Sequence, residues 1–238
     1  MKKLSIFIAL FIGALSVKAQ NIQLHYDMGE GRQYFTSTVE MFKLDKWGST
    51  FFFIDMDYGA NDFDGVSQAY WEVARSFKIS KDCAFEPRVE YNGGFFALQD
   101  QVDKSKYSAA PINNAFLVGG QYTWASGDFS KIFTLSLNYK YIEDKNDASF
   151  QVTGVWNLNF FNKKFSMTGF ADFWREDVTT FDDNGGMHDK KYVFMTEPQF
   201  WYNVNSNLAL GSEIEMSTNF AAHDGFMVNP TVAVKWTF

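Results

Sequence analysis

The stretch GSTFFFIDMDYG, from Gly48 to Gly59, limits what this chain can fold into more than any other feature. Successive side chains of a β-strand point to opposite faces. One face of this segment carries Phe52, Ile54, Met56 and Tyr58, and the other carries Phe51, Phe53, Asp55 and Asp57. The first face wants an apolar surrounding. The second sets rings beside ionised carboxylates, which a dry core does not accept unpaired. A strand with oil on one side and wet, charged aromatics on the other belongs in a wall between two solvents.

The same alternation recurs along the chain. Segments with strand character, separated by turn residues, fall at 22–28, 33–44, 49–58, 67–78, 84–95, 112–124, 131–142, 149–160, 163–174, 192–203, 206–217 and 228–238. In 131–142, Phe133, Leu135, Leu137, Tyr139 and Tyr141 oppose Thr134, Ser136, Asn138 and Lys140. In 206–217, Leu208, Leu210, Ile214 and Met216 oppose Ala209, Gly211, Glu213 and Glu215. Several apolar faces end in aromatics, as an interfacial girdle requires. Aromatic residues make up 19% of the chain, and no run after residue 19 has the length of a membrane helix. The expected fold is all-β: a transmembrane antiparallel barrel of twelve strands. Closure is required because hydrocarbon offers no partner to an open sheet edge. A soluble sandwich or lipocalin-like barrel would also alternate, but it would not crowd its polar face with carboxylates and amides.

The connections carry a second signal. DKWG (45–48), SKDC (80–83), SGD (126–128), NK (162–163) and NVNSN (203–207) are tight. Longer connections at 59–67, 97–111, 143–147, 176–191 and 217–227 alternate with them, and the brief one at 29–32 is the weak member. Outer-membrane barrels show this asymmetry, with short periplasmic turns and longer outer loops.

Lys2 and Lys3, the apolar run Leu4 to Val17 and the small residues Val17 and Ala19 read as a signal peptide over 1–19, cleaved before Gln20, leaving a barrel domain over 20–238. Removing its three lysines takes the formal charge from −7 to −10. An acidic chain without a basic stripe is not expected to bind nucleic acid. The lone Cys83 cannot form an internal disulfide, and there is no zinc-type Cys/His spacing, P-loop, G-x-G-x-x-G or G-x-S-x-G. No metal, cofactor or catalytic residue is therefore expected.

Sorting every strand by face gives the expected lumen lining: Phe51, Phe53, Asp55, Asp57, Glu72, Arg88, Glu90, Asp172, Trp174, Trp201 and Glu213. Arg75 falls on the lipid face, a misfit that a bulge or snorkelling would resolve. Carboxylates in a narrow tube favour cations, and rings stack flat solutes. Arg88 and Lys235 can equally serve to neutralise Glu86, Glu90 and Glu213 in a network that braces the barrel.

Three patches resemble the nucleoside-specific channel-forming proteins, the Tsx-like porins: FFFIDMDYG (51–59), AYWEVARSFKIS (69–80) and GFADFW (169–174), followed by a chain ending in Phe238. The resemblance implies a monomeric twelve-stranded outer-membrane barrel that passes nucleosides, with Phe51, Phe53, Asp55 and Glu72 along the path. It also implies assembly through the barrel-assembly machinery, which reads the terminal Phe238. Two departures stand out: Ala74 replaces the family's Pro before Arg75, and the third motif ends Phe173–Trp174 without its Asp.

The expected function is passive diffusion of small polar solutes, nucleosides or similar flat molecules, across a Gram-negative-type outer membrane. Two alternatives remain. A lipase or omptin-like barrel enzyme could use a rim histidine, His188 beside Asp189 or His223 beside Asp224. A surface-binding barrel could use the connections 97–111 and 176–191.

Overall fold

The computed structural model describes residues 20–60, 63, 65–80, 83–100, 103, 106–145 and 147–238. The segment read as a signal peptide lies outside the described residues. Thirteen strands follow one another: β1 (Gln20–Asp27), β2 (Phe35–Asp45), β3 (Gly48–Tyr58), β4 (Val66–Phe77), β5 (Phe85–Gln99), β6 (Tyr107–Ala125), β7 (Lys131–Ile142), β8 (Ser149–Phe160), β9 (Phe165–Phe181), β10 (Met187–Thr196), β11 (Gln199–Asn203), β12 (Leu208–Thr218) and β13 (Phe226–Thr237). Each is antiparallel to its neighbours, and β1 pairs with β13 to close the sheet.

β10 and β11 are two halves of one stave. Thr196 pairs with Ala171 and Met216, and Gln199 pairs with Thr168 and Glu213, so both partner strands keep step across the gap. Pro198 has no N–H to give a ladder and accounts for the interruption. Glu197 N–H donates to Phe170 O at 3.1 Å, and Ile214 N–H donates to Pro198 O at 3.1 Å, stitching the break on both sides. The barrel thus has twelve staves, as the alternation predicts.

β7 shows which face meets which solvent. Leu135 is 59% exposed and Leu137 62%, while the intervening Ser136 is 3% exposed and Asn138 2%. The apolar side chains face out and the polar ones face in, the reverse of a soluble barrel. The same inversion holds on β6, where Phe116 and Val118 are exposed, and on β13, where Val232 is exposed and Thr231 buried. The described apolar core is small, with Ala115, Leu117 and Ile142 as its one cluster.

Two of the expected outer loops are mostly strand. β5 runs to Gln99 and pairs it with Tyr107 of β6, and β9 runs to Phe181 and pairs it with Met187 of β10. A tilted stave needs about 9–11 residues to cross the bilayer. β6 has 19 residues and β9 has 17, so both hairpins project beyond it. Outside the bilayer both faces meet water, so the ladder continues while the alternation that marks a strand in the sequence disappears. Tight turns gather at the opposite end, beside the start of β1 and the end of β13.

Candidate functional site

The inner faces of the staves build the candidate site. β2 and β3 pair residue for residue, which sets Thr38 opposite Asp55 and Thr36 opposite Asp57. Thr38 Oγ1 donates to Asp55 Oδ1 at 2.5 Å, and Thr36 Oγ1 donates to Asp57 Oδ1 at 2.7 Å. Phe51 and Phe53 share this face, with ring centroids 6.0 Å apart, and Phe53 lies 6.0 Å from Tyr70 of β4. Tyr70 donates its hydroxyl to Glu72 Oε1 at 2.8 Å, and Asn92 Nδ2 donates to the same oxygen at 3.1 Å. A ladder of rings edged with carboxylates therefore runs along β3 and β4.

On β5, Arg88 ion-pairs with Glu90 and donates from Nη1 to Gln121 Oε1 at 3.1 Å. Gln121 Nε2 in turn donates to Glu86 at 3.0 Å. This part of the wall is a neutralising network, the bracing role open to Arg88. β7 and β9 contribute Lys140, Asp172 and Trp174. Lys140 Nζ donates to Gln151 Oε1 at 2.8 Å and sits 4.5 Å from the centroid of the Trp174 ring. Lys140 is within electrostatic reach of Glu72, Glu90 and Asp172, which places these four groups around one level of the lumen.

The remaining wall centres on Trp201, fully buried. Its Nε1 donates to Gln199 Oε1 at 3.0 Å, Gln199 Nε2 donates to Glu213 Oε2 at 2.6 Å, and Lys235 Nζ lies 3.9 Å from the ring centroid. His25 meets the ring edge-on at 6.0 Å. Trp201 supports Lys235 from beneath rather than presenting a bare ring. Glu197, at the stave break, is within electrostatic reach of Glu213 and Glu215 on the neighbouring strand and of Asp55 and Glu72 on β3 and β4.

The expected lining residues take part in these contacts. They form two groups: Phe51, Phe53, Asp55, Asp57 and Glu72 along β3 and β4, and Arg88, Glu90, Asp172 and Trp174 across β5 to β9. Trp201 and Glu213 complete the ring. One cation escapes the reading of strands by face. Arg32, just before β2, donates to Glu215 at 2.9 and 3.0 Å and to Asp27 at 3.1 Å, capping the loop end of the lumen. It precedes a strand and has no alternation to reveal its direction.

Arg75 does face outward. Register on both sides is continuous, Thr50 opposite Arg75 and Arg75 opposite Val89, so there is no bulge there. At the rim, His188 Nε2 lies 3.0 Å from Asp182 Oδ2 and 3.6 Å from Asp224 Oδ2, while Asp189 accepts from Thr179 Oγ1 at 3.2 Å. His188 thus meets the acids of two loops instead of its sequence neighbour. Among the described residues no serine hydroxyl bonds to its ring. No group of described His, Cys, Asp and Glu residues has the geometry to hold a metal ion.

Comparison with solved structures places the fold among porins. The NanC porin aligns with a TM-score of 0.58 at 10% identity, covering 92% of this chain and 100% of that one. The KdgM porin in complex with disordered oligogalacturonate aligns with a TM-score of 0.51 at 11% identity, covering 92% and 99%. The sequence matches no curated protein. The family described as a domain of unknown function, DUF5020, matches residues 19–238, and the chain belongs to that family.

Proposed function

We propose that this protein is an outer-membrane channel for passive diffusion of small polar solutes, with no catalytic step. The observation that carries the reading is the inner wall itself, where rings and carboxylates share one face of a closed barrel whose other face is apolar. Charge of one sign on low-dielectric walls raises the local concentration of the opposite sign. Asp55, Glu72, Glu197 and Glu213 are set against Lys140 and Lys235. The channel is therefore cation-leaning. The KdgM porin was solved with an oligogalacturonate, a polyanion. This wall repels such a chain, so the solute here is of a different class.

Nucleosides and comparably flat molecules fit the β3–β4 face. Base-like rings stack on Phe51 and Phe53, and Asp55 and Glu72 accept from hydroxyls and exocyclic amines. The chain works as a monomer in outer-membrane lipid, exported by a cleaved leader and inserted by the assembly machinery through Phe238. The rim His188–Asp182 pair supports the enzyme alternative only weakly, since it is exposed and no described serine or threonine hydroxyl bonds to its ring.

The test is a planar-bilayer recording on refolded protein with a solute panel. Adenosine and thymidine are expected to reduce the single-channel current, and Phe53→Ala to relieve that block about tenfold, on the scale of one lost stacking contact. Conductance without any nucleoside effect would leave a channel and overturn the solute assignment.

A further inference from the structure

Two lysines show how this lumen holds an ammonium group. Lys235 Nζ lies 3.9 Å from the Trp201 ring centroid and within electrostatic reach of Glu40 and Glu213. Lys140 Nζ lies 4.5 Å from the Trp174 centroid, within reach of Glu72, Glu90 and Asp172. Each combines a ring face with carboxylates, the two attractions that stabilise a buried cation.

The same components recur on β3 and β4, where Lys140 reaches Glu72 electrostatically but forms no ion pair with it. Phe51, Phe53 and Tyr70 run in series beside Asp55 and Glu72, and Glu197 is within electrostatic reach of both carboxylates. Among the described residues no Lys, Arg or His ion-pairs with Asp55, Glu72 or Glu197. A second observation points the same way. Asn92 is 3% exposed and gives its Nδ2 to Glu72, yet its Oδ1 has no hydrogen-bond partner. Buried acceptors without donors are rare in a folded protein and call for a ligand, a water or an ion.

We propose that this band of the lumen binds a linear primary diamine or polyamine. Rings and carboxylates select a cation over a neutral or anionic solute. Asn92 Oδ1 is an acceptor and takes an N–H or O–H donor, which a primary ammonium supplies and a quaternary one does not. No group of described His, Cys, Asp and Glu residues has the geometry to hold a metal ion, and Asp55, Glu72 and Glu197 come from three different staves. Carboxylates on separate staves suit an extended cation with an ammonium at each end, one near Glu72 and Asn92 and the other near Asp55 and Glu197. This goes beyond the nucleoside reading, because the ligand is a cation held at both ends and needs no flat ring.

The test is calorimetric titration of the folded protein in detergent micelles with spermidine, tetramethylammonium and calcium chloride, at matched ionic strength. Saturable spermidine binding is expected, with tetramethylammonium and calcium at least tenfold weaker. Glu72→Gln is expected to weaken spermidine tenfold or more, and Asp128→Asn, in a turn outside the lumen, to leave it unchanged. If Glu72→Gln does not fold, Asp55→Asn carries the same expectation. Absence of saturable spermidine binding overturns the proposal, as does equal binding of tetramethylammonium or calcium, or an equal loss in Asp128→Asn. The titration needs no current: binding without conductance would remove the channel reading and keep this site, and conductance without binding would do the opposite.

Discussion

Arg75 donates from both guanidinium nitrogens to Asp45, at 2.8 and 2.9 Å, on the outer face of the barrel. It also donates to Thr50 Oγ1 at 2.8 Å and lies 5.6 Å from the Phe77 ring centroid. Asp45 closes β2 opposite Gly48, so the pair sits beside a tight turn, at the edge of the apolar band. An outward arginine is tolerated there because its head reaches the polar interface while its stem stays on the wall. Depth decides the cost. Ile54→Arg, at the middle of β3, is expected to destabilise the barrel by about 2–4 kcal/mol, whereas Arg75→Leu should leave its stability close to that of the parent. Urea unfolding from lipid vesicles measures both.

Gly169 stands opposite Trp156 with φ +144°, a backbone conformation that side chains rarely adopt. A Cβ there would lie 2.3 Å from the Glu197 backbone oxygen and 2.9 Å from the Trp156 ring. An aromatic covering a strand glycine shields the exposed backbone of a bent stave. Gly169→Ala is expected to cost about 1–3 kcal/mol through backbone strain. Adding Trp156→Ala removes the ring contact but leaves the Glu197 carbonyl and the backbone strain, so the double variant should stay less stable than the parent in the same unfolding measurement.

At the rim, segment 218–226 docks onto the β9–β10 hairpin. Phe181 N–H donates to Ala222 O at 2.8 Å, and Asp224 N–H donates to Phe181 O at 3.0 Å. Lys190 lies 2.7 Å from Asp224, and His188 lies 3.0 Å from Asp182. Hydrogen bonding from His188 holds the Asp182 carboxyl below its usual range, and bonding from Lys190 does the same for Asp224. A depressed carboxylate adds stability that is present above its unfolded pKa and lost as pH falls through the folded one. Docking is therefore expected to hold at neutral pH and loosen below about pH 4, where free carboxylates protonate. Exchange protection of the Phe181 and Asp224 amides, corrected for intrinsic rate, should drop in that range. Asp224→Asn should show low protection at neutral pH already.

Most of the barrel was legible because two solvents write one period into every stave. Leu135 to Tyr139 on β7 names its lipid and water faces without ambiguity. The reading weakens where that contrast ends. The outer parts of β5, β6, β9 and β10 have water on both sides, so 97–111 and 176–191 read as loops although Gln99 pairs with Tyr107 and Phe181 with Met187. The break at Glu197–Pro198 lay inside a segment read as continuous, because the alternation keeps step across it. The candidate lining is a reading by face alone. Its pairings were not legible: nothing local connects Lys235 to Trp201 or Arg32 to Glu215, which are joined only by closure of the sheet.

The acidic lumen is tested most directly by the reversal potential of the refolded protein in a planar bilayer under a tenfold potassium chloride gradient. Cation selectivity is expected, and replacing Asp55, Glu197 and Glu213 together by their amides should move the potential toward zero or past it. Anion selectivity in the unmodified protein, or a reversal potential indifferent to those three carboxylates, would contradict the assignment of the inner wall.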